Sequence, residues 1–129
     1  MAITKSIVKN DRQNYMVHFY NDTGNFSSTI ALTDLVRSDE TTSGTLTVGL
    51  KSILFGTNDT SVITVNRGST GICILNGSDY VDFAGIGLNL ASSTGVTVQL
   101  NGPGWAIVEL HKKSGYVEPD LQLQANRPF

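Results

Sequence analysis

The sequence predicts an all-β protein, an antiparallel sandwich of two sheets. The first observation is the period of its apolar residues, which is two rather than the 3.6 of an α-helix. In Leu46–Leu50, and again in Val96–Leu100, apolar residues alternate with small or polar ones. Because such alternation sends one set of side chains to a buried face and the other toward solvent, each run is predicted to be a half-buried strand.

The second observation is that turn residues interrupt these runs at short intervals. Clusters such as Asn21–Asn25, Arg67–Gly71 and Asn101–Gly104 are rich in Gly and Asn, which tolerate the positive φ angles of tight hairpins. The chain therefore divides into eight or nine strands, joined by links of mostly four to six residues. This spacing is typical of an antiparallel sandwich or barrel.

Strands are also predicted where β-branched or aromatic residues cluster, since these side chains suit a pleated surface. In chain order the predicted strands are residues 13–20, 26–33, 46–50, 61–66, 72–75, 80–83, 86–90, 96–100 and 105–111. In the last of these, Ala106, Val108 and Leu110 form one face. Helical character is confined to Leu32–Val36, for which the sequence predicts at most one turn, capped by Thr33 or Asp34.

The 129 residues fit one domain followed by a terminal segment of different character. Residues 1–115 are predicted to form the sandwich, with a polar loop at Val36–Ser43. Residues 116–129 are predicted to form an extended C-terminal arm, because Pro119 and Pro128 oppose a central strand. The scattered apolar and aromatic side chains of this arm favour binding across a neighbouring subunit over a solvated tail.

Charge argues against a nucleic-acid partner, and the lack of long apolar runs and membrane motifs argues against a membrane. Charged residues make up 16% of the chain and the net charge is −2, with the polar share carried by 12 Ser, 14 Thr and 10 Asn. The nine basic residues are dispersed, which argues against nucleic-acid binding. No apolar run approaches the ~18 residues of a membrane helix, and no signal peptide, amphipathic helix or lipidation motif is recognised. Low charge along the strands suits a protein covered by copies of itself or by a larger assembly.

No motif points to catalysis, a cofactor or a metal. His18 and His111 lie inside predicted strands, and the single cysteine, Cys73, lies between two isoleucines, where a thiol is usually buried and inert. Asp79, Asp82 and the pair at 58–59 supply oxygen ligands that calcium accepts, but hydrogen bonding within turns explains these residues better. The sequence therefore predicts a protein that is not an enzyme, without cofactors or metal ligands.

Three segments carry a resemblance to a known family: Met1–Lys9, the strand and turn Ile63–Gly68, and Ala106–Tyr116. They resemble small virion structural proteins of tailed bacteriophages, especially marine and cyanobacterial phages. The resemblance spans residues 1–116 and implies a jelly-roll-like sandwich without cofactors, acting as a homotrimer. It also implies a protein made in the host cytoplasm that decorates or cements the capsid surface of the virion, or joins head and tail parts.

We therefore predict a non-enzymatic capsid decoration (cement) protein, whose partners are its own copies and the major capsid protein. Residues 1–12 and 116–129 are the predicted contact segments. The candidate interface residues are Lys5, Lys9, Arg12, Tyr116, Val117, Leu121, Leu123 and Phe129.

The alternatives are a head–tail connector component and a carbohydrate-binding, lectin-like module of the virion. Lectin-like sandwiches use exposed aromatic residues together with Asn and Asp, and this chain has Trp105, Tyr20, Tyr80 and Tyr116. Trp105 follows Gly-Pro-Gly at a strand start, where it is compatible either with a sugar site or with a plug at the end of a barrel.

Overall fold

The computed structural model describes residues 3–11, 13–37, 40–83, 85 and 92–117, and these form nine strands and one short 3-10 turn. The predicted all-β class is confirmed. The predicted strand at 86–90 lies outside the described residues. The elements are β1 (Ile3–Asn10), β2 (Asn14–Asn21), β3 (Asn25–Ile30), the 3-10 turn (Leu32–Leu35), β4 (Thr41–Thr57), β5 (Val62–Arg67), β6 (Thr70–Leu75), β7 (Ser78–Asp82), β8 (Val96–Asn101) and β9 (Gly104–Val117).

The strands form two antiparallel sheets, ordered β1-β2-β9-β4-β7 and β3-β8-β5-β6. Four pairs are nested in the chain: β2 with β9, β3 with β8, β4 with β7, and β5 with β6. A long antiparallel hairpin that wraps round itself into two facing sheets gives this order, which is the topology of a jelly roll. The predicted two-sheet, jelly-roll-like sandwich is confirmed, and β1 extends the larger sheet by a fifth strand.

The core lies between the two sheets and follows the predicted alternation. Tyr15, Val17 and Phe19 of β2 are fully buried, as are Val96 and Val98 of β8. On β9 the predicted inward face is also buried. Burying such a side chain contributes about 1.5–3 kcal/mol relative to leaving it exposed. The other large core side chains are Ile30, Leu32, Leu35, Val48, Leu50, Ile53, Phe55, Ile63, Val65, Phe83, Leu100, Val108 and Leu110.

β4 is much longer than the predicted strand at 46–50. Its pairing with β9 shifts register between Leu50 and Ser52, so the inward set changes from even positions such as Val48 to odd positions such as Ile53 and Phe55. A β-bulge of this kind breaks the period of two and hides the second half of the strand from pattern analysis. The predicted polar loop at 36–43 is also too long, because β4 begins at Thr41.

The terminal segments differ from the prediction. Tyr116 and Val117 belong to β9, where they pair with Thr42 and Thr41, so they do not start an arm. At the other end, residues 3–10 form β1 and pair with β2 along their length. Arg12, Leu121, Leu123 and Phe129 lie outside the described residues.

Candidate interaction surfaces

The first surface is the outer strand of the larger sheet, which we call the β1 edge (Lys5–Lys9). Ile7 pairs with the core residue Val17, yet Ile7 is 59% exposed. The larger sheet has five strands and the smaller one four, so β1 extends beyond the area that the smaller sheet covers. The register shifts between Ile7 and Lys9, and Val8 within this irregularity is 55% exposed. In the described part of the chain, no strand pairs with the outer side of β1.

Two predicted interface residues, Lys5 and Lys9, lie on the β1 edge and are exposed. Lys9 makes an ion pair with Asp11, with 3.4 Å between Nζ and Oδ2, in which both side chains are 46% exposed. Such a surface pair adds little stability. Lysines along an edge strand limit indiscriminate pairing, so they favour a partner strand that carries acidic residues.

Tyr116 and Val117 are not on the β1 edge. β9 and β1 are separated by β2, and the Tyr116 hydroxyl donates a hydrogen bond of 2.6 Å to the carbonyl oxygen of Leu32. Both side chains are half-buried. Tyr116 therefore holds the 3-10 turn against β9 and is not available as an arm contact.

Beside Tyr116 lies a buried charged group that was not predicted, which we call the Glu40 clamp (Arg37, Glu40, Lys112). Lys112 Nζ lies 3.0 Å from Glu40 Oε1, and their side chains are 2% and 1% exposed. The backbone N–H of Arg37 donates to the same oxygen at 2.8 Å. Lys112 Nζ also lies 5.2 Å from the centre of the Tyr116 ring, a cation–π distance. The clamp ties the segment before β4 to the end of β9.

A signal for the clamp was present in the sequence. The inward face Ala106, Val108 and Leu110 continues at the next even position to Lys112, which places a lysine in the core.

The 3-10 turn itself begins after Ala31, whose N–H donates to Asp34 Oδ2 at 3.0 Å. The prediction of Thr33 or Asp34 as the cap residue was therefore wrong, and Asp34 acts from inside the turn.

Tyr116 should make the free energy of unfolding fall at alkaline pH. Burial, and then the carboxylates of Glu40 and Asp34, raise the pKa of Tyr116 from 10.0 to about 12. The folded protein therefore favours the neutral phenol, and this stabilisation is complete below about pH 10 and lost as pH rises toward 12. We expect urea unfolding between about pH 9 and pH 11.5 to show a free-energy difference between the wild type and Tyr116→Phe that shrinks with pH. Parallel curves for the two proteins would contradict this assignment.

The second surface is a cleft on the outer face of the larger sheet, which we call the aromatic groove (Tyr20, Gly56, Ser78 and Trp105 with the loops beside them). These four residues stand in register across β2, β9, β4 and β7. The cleft has a volume of about 390 Å³. The residues that line it are Tyr20, Asn21, Asp22, Gly56, Thr57, Asn58, Ser78, Pro103, Gly104 and Trp105.

Gly56 allows the Trp105 indole to occupy its place in the groove. A Cβ atom at Gly56 would lie 2.6 Å from Trp105 Nε1 and 2.8 Å from Cε2, so any side chain there would displace the ring. His18 meets the indole edge-on, with 6.4 Å between ring centres and 63° between planes. Trp105 thus lies on the outer face of the sheet and does not plug the end of the sandwich.

The structure brings together some of the aromatic residues named for sugar binding. Tyr20 and Trp105 are neighbours across β2 and β9. Tyr80 lies on the same face but on β7, where it pairs with the exposed Leu54. Tyr116 is elsewhere, beside the Glu40 clamp.

The outer face of the smaller sheet is polar and uncharged. One end of this sheet holds a cleft of about 330 Å³ at β3, β8 and β5. Thr29 and Thr97 hydroxyls share a hydrogen bond of 2.9 Å across β3 and β8. At its margin, Ile74 of β6 is 72% exposed. The cleft is lined by Asn25, Phe26, Ser27, Val62, Thr64, Gln99, Leu100 and Asn101.

The titratable groups considered for catalysis have local structural surroundings. Cys73 is half-buried, and burial raises the pKa of its thiol, which disfavours the nucleophilic thiolate. Burial and then the charges of Lys113 and Lys51 lower the pKa of His111. Asp82 accepts a hydrogen bond from the N–H of Gly85 at 3.1 Å. Within the described ranges, no three His, Cys, Asp or Glu residues are grouped to hold a metal ion.

Comparison of the chain with protein-family models, with curated proteins and with solved structures found no match. Among the described residues, no helix has the length and apolar character needed to cross a membrane. We therefore infer function from the β1 edge and the aromatic groove.

Proposed function

We propose that this chain is a non-enzymatic decoration (cement) protein, which binds the outside of a bacteriophage head as a homotrimer. The observation that carries the proposal is the β1 edge, where Ile7 and Val8 are more than half exposed on a strand whose outer side is unpaired among the described residues. An unpaired edge that exposes large apolar side chains is an aggregation hazard for an isolated protein, even where lysines limit pairing. In a protein that works inside an assembly, the same edge is a binding surface.

A partner strand on the β1 edge gains two kinds of stabilisation. Its main chain forms hydrogen bonds with the free N–H and C=O groups of β1, as in other cases of strand addition. Burying Ile7 and Val8 contributes about 1.5–3 kcal/mol for each side chain. Contacts of this modest strength suit a capsid, since many copies on one shell act together through high effective concentration.

The charges beside these side chains favour an acidic partner. Lys5 and Lys9 flank Ile7 and Val8 along the strand, so a neighbouring copy of the chain that places Asp or Glu opposite them is the preferred partner. The jelly roll is compatible with this role because it serves in viral capsid domains, although it also serves in lectins. Residues 118–129 provide the second proposed contact, because their scattered apolar and aromatic side chains favour binding to a neighbour.

The β1 edge is tested by making it polar. We expect the double variant Ile7→Asp, Val8→Asp to be a monomer by size-exclusion chromatography with light scattering, while the wild type is a trimer. The variant should still unfold cooperatively as a monomer, because the replaced side chains are exposed within one copy of the chain. Ile74→Asp is the matched control, since Ile74 is a still more exposed isoleucine at 72% but lies on the other sheet. A wild type that stays monomeric, or an equal loss in both variants, would contradict the proposal.

The site of attachment needs a separate experiment on undecorated phage shells. Deleting residues 118–129 leaves β9 intact, whereas a deletion from 117 would remove the pairing of Val117 with Thr41. We expect the shortened chain to bind shells at lower occupancy, and the Ile7→Asp, Val8→Asp variant to bind least. Binding to isolated connector complexes in place of shells would instead assign the chain to the head–tail junction.

A further inference from the structure

We infer that the aromatic groove is a binding site for a neutral carbohydrate, with a pyranose ring stacked against Trp105. The inference goes beyond the proposed function and is independent of it, because the groove is centred on β9 and β4 while the β1 edge lies at the margin of the sheet.

The floor of the groove carries two aromatic side chains, Tyr20 and Trp105, from the neighbouring strands β2 and β9. Trp105 lies over the bare backbone of Gly56 on one side and beside Tyr20 on the other. The apolar C–H face of a pyranose packs against rings arranged in this way, and large aromatic side chains provide contact area at a low cost in conformational entropy. The edge-on contact with His18 restricts the orientation of the indole before any ligand arrives.

The rim of the groove supplies groups that pair with hydroxyls. Asp22 and Ser78 are exposed at its margin. Asn21 also lines the cleft; its Nδ2 holds the carbonyl oxygens of Gly24 and Gly102, at 2.8 and 2.9 Å. Its buried Oδ1 has no hydrogen-bond partner among the described residues. Asn21 belongs to the buried, inward set of β2, opposite to the outward Tyr20, so this oxygen is not a ligand contact of the groove.

The charge of the groove selects the class of sugar. None of the residues lining the cleft is Lys or Arg, and Asp22 contributes a carboxylate. A sialylated, sulfated or phosphorylated glycan would meet this carboxylate without a compensating cation. The volume of about 390 Å³ is within the usual range for small-ligand sites. A neutral hexose or N-acetylhexosamine unit therefore fits the site better than an acidic one.

The single tryptophan makes the experiment specific, because Trp105 is the only one in the chain. We would screen the full-length protein on an array of neutral and sialylated oligosaccharides, then titrate the best neutral ligand while recording intrinsic fluorescence. We expect a saturable change in the emission of Trp105. Trp105→Ala should weaken binding measured by calorimetry at least tenfold, and Asp22→Ala, on an exposed loop where folding is not at stake, at least threefold.

Tyr80→Ala is the matched control, since Tyr80 is an exposed aromatic residue on the same face but outside the groove. It should bind as the wild type does. Absence of any neutral ligand on the array, preference for sialylated glycans, or equal weakening by Tyr80→Ala would each overturn the inference. A Trp105→Ala variant that changes oligomeric state and not sugar binding would identify the groove as a protein contact and also overturn it. The Ile7→Asp, Val8→Asp variant should retain the sugar, which separates this inference from the proposed function.

Discussion

Replacing Lys112 with alanine is expected to lower the free energy of unfolding by about 3–5 kcal/mol. The side chains of Lys112 and Glu40 are 2% and 1% exposed, with 3.0 Å between Nζ and Oε1. Removing the ammonium group leaves the Glu40 carboxylate in the interior, with Arg37 3.5 Å away as the remaining cation. The cost is mainly that of a buried carboxylate that loses its closest cation, and it is measured by urea unfolding at neutral pH.

Lys113 provides the matched control for this experiment. It is the next residue on β9 but points to solvent, so Lys113→Ala should change stability by less than about 0.5 kcal/mol. The double variant Glu40→Leu, Lys112→Met removes both charges and keeps apolar volume, so it should be clearly more stable than Lys112→Ala. Equal stability of Lys112→Ala and Lys113→Ala would show that the clamp contributes little to holding the segment before β4.

The fold was predictable to the extent that it depends on local patterns. Alternation identified β8 and the first part of β9, and the cluster of aromatic and β-branched residues identified β2; each of these strands has one face in the core. β4 was recognised only in part, since the bulge near Ser52 exchanges its inward and outward positions. The nested order of the strands was not predicted from the residues, because pairing across the sandwich depends on contacts between segments far apart in the chain.

The candidate surfaces were predictable only in part, for the same reason. Lys5 and Lys9 were named as interface residues, but the exposure of Ile7 follows from a larger sheet that extends past the smaller one, which no local pattern encodes. Tyr20 and Trp105 were named as separate aromatic residues. Their meeting with Gly56 depends on β2, β9 and β4 being neighbours in register.

The strongest test of the sandwich uses two adjacent aromatic residues of β2. Phe19 is 0% exposed and its ring centre lies 5.7 Å from that of Phe26 on the facing sheet, whereas Tyr20 is 41% exposed. Phe19→Ala is expected to cost about 3–5 kcal/mol, because it removes a core side chain and leaves a cavity. Tyr20→Ala should cost less than about 1 kcal/mol.

Chemical unfolding of both variants measures the difference, and Phe19→Leu provides a milder change if Phe19→Ala does not fold. The conservative variant should lose part of the packing with Phe26 and fall between the wild type and the alanine variant. Since Tyr20 lines the aromatic groove, Tyr20→Ala should instead weaken binding of the neutral sugar. The two neighbours thus report on opposite faces of one strand. If Tyr20→Ala destabilised the protein as much as Phe19→Ala, the inward and outward faces of β2 would be wrongly assigned, and the aromatic groove with them.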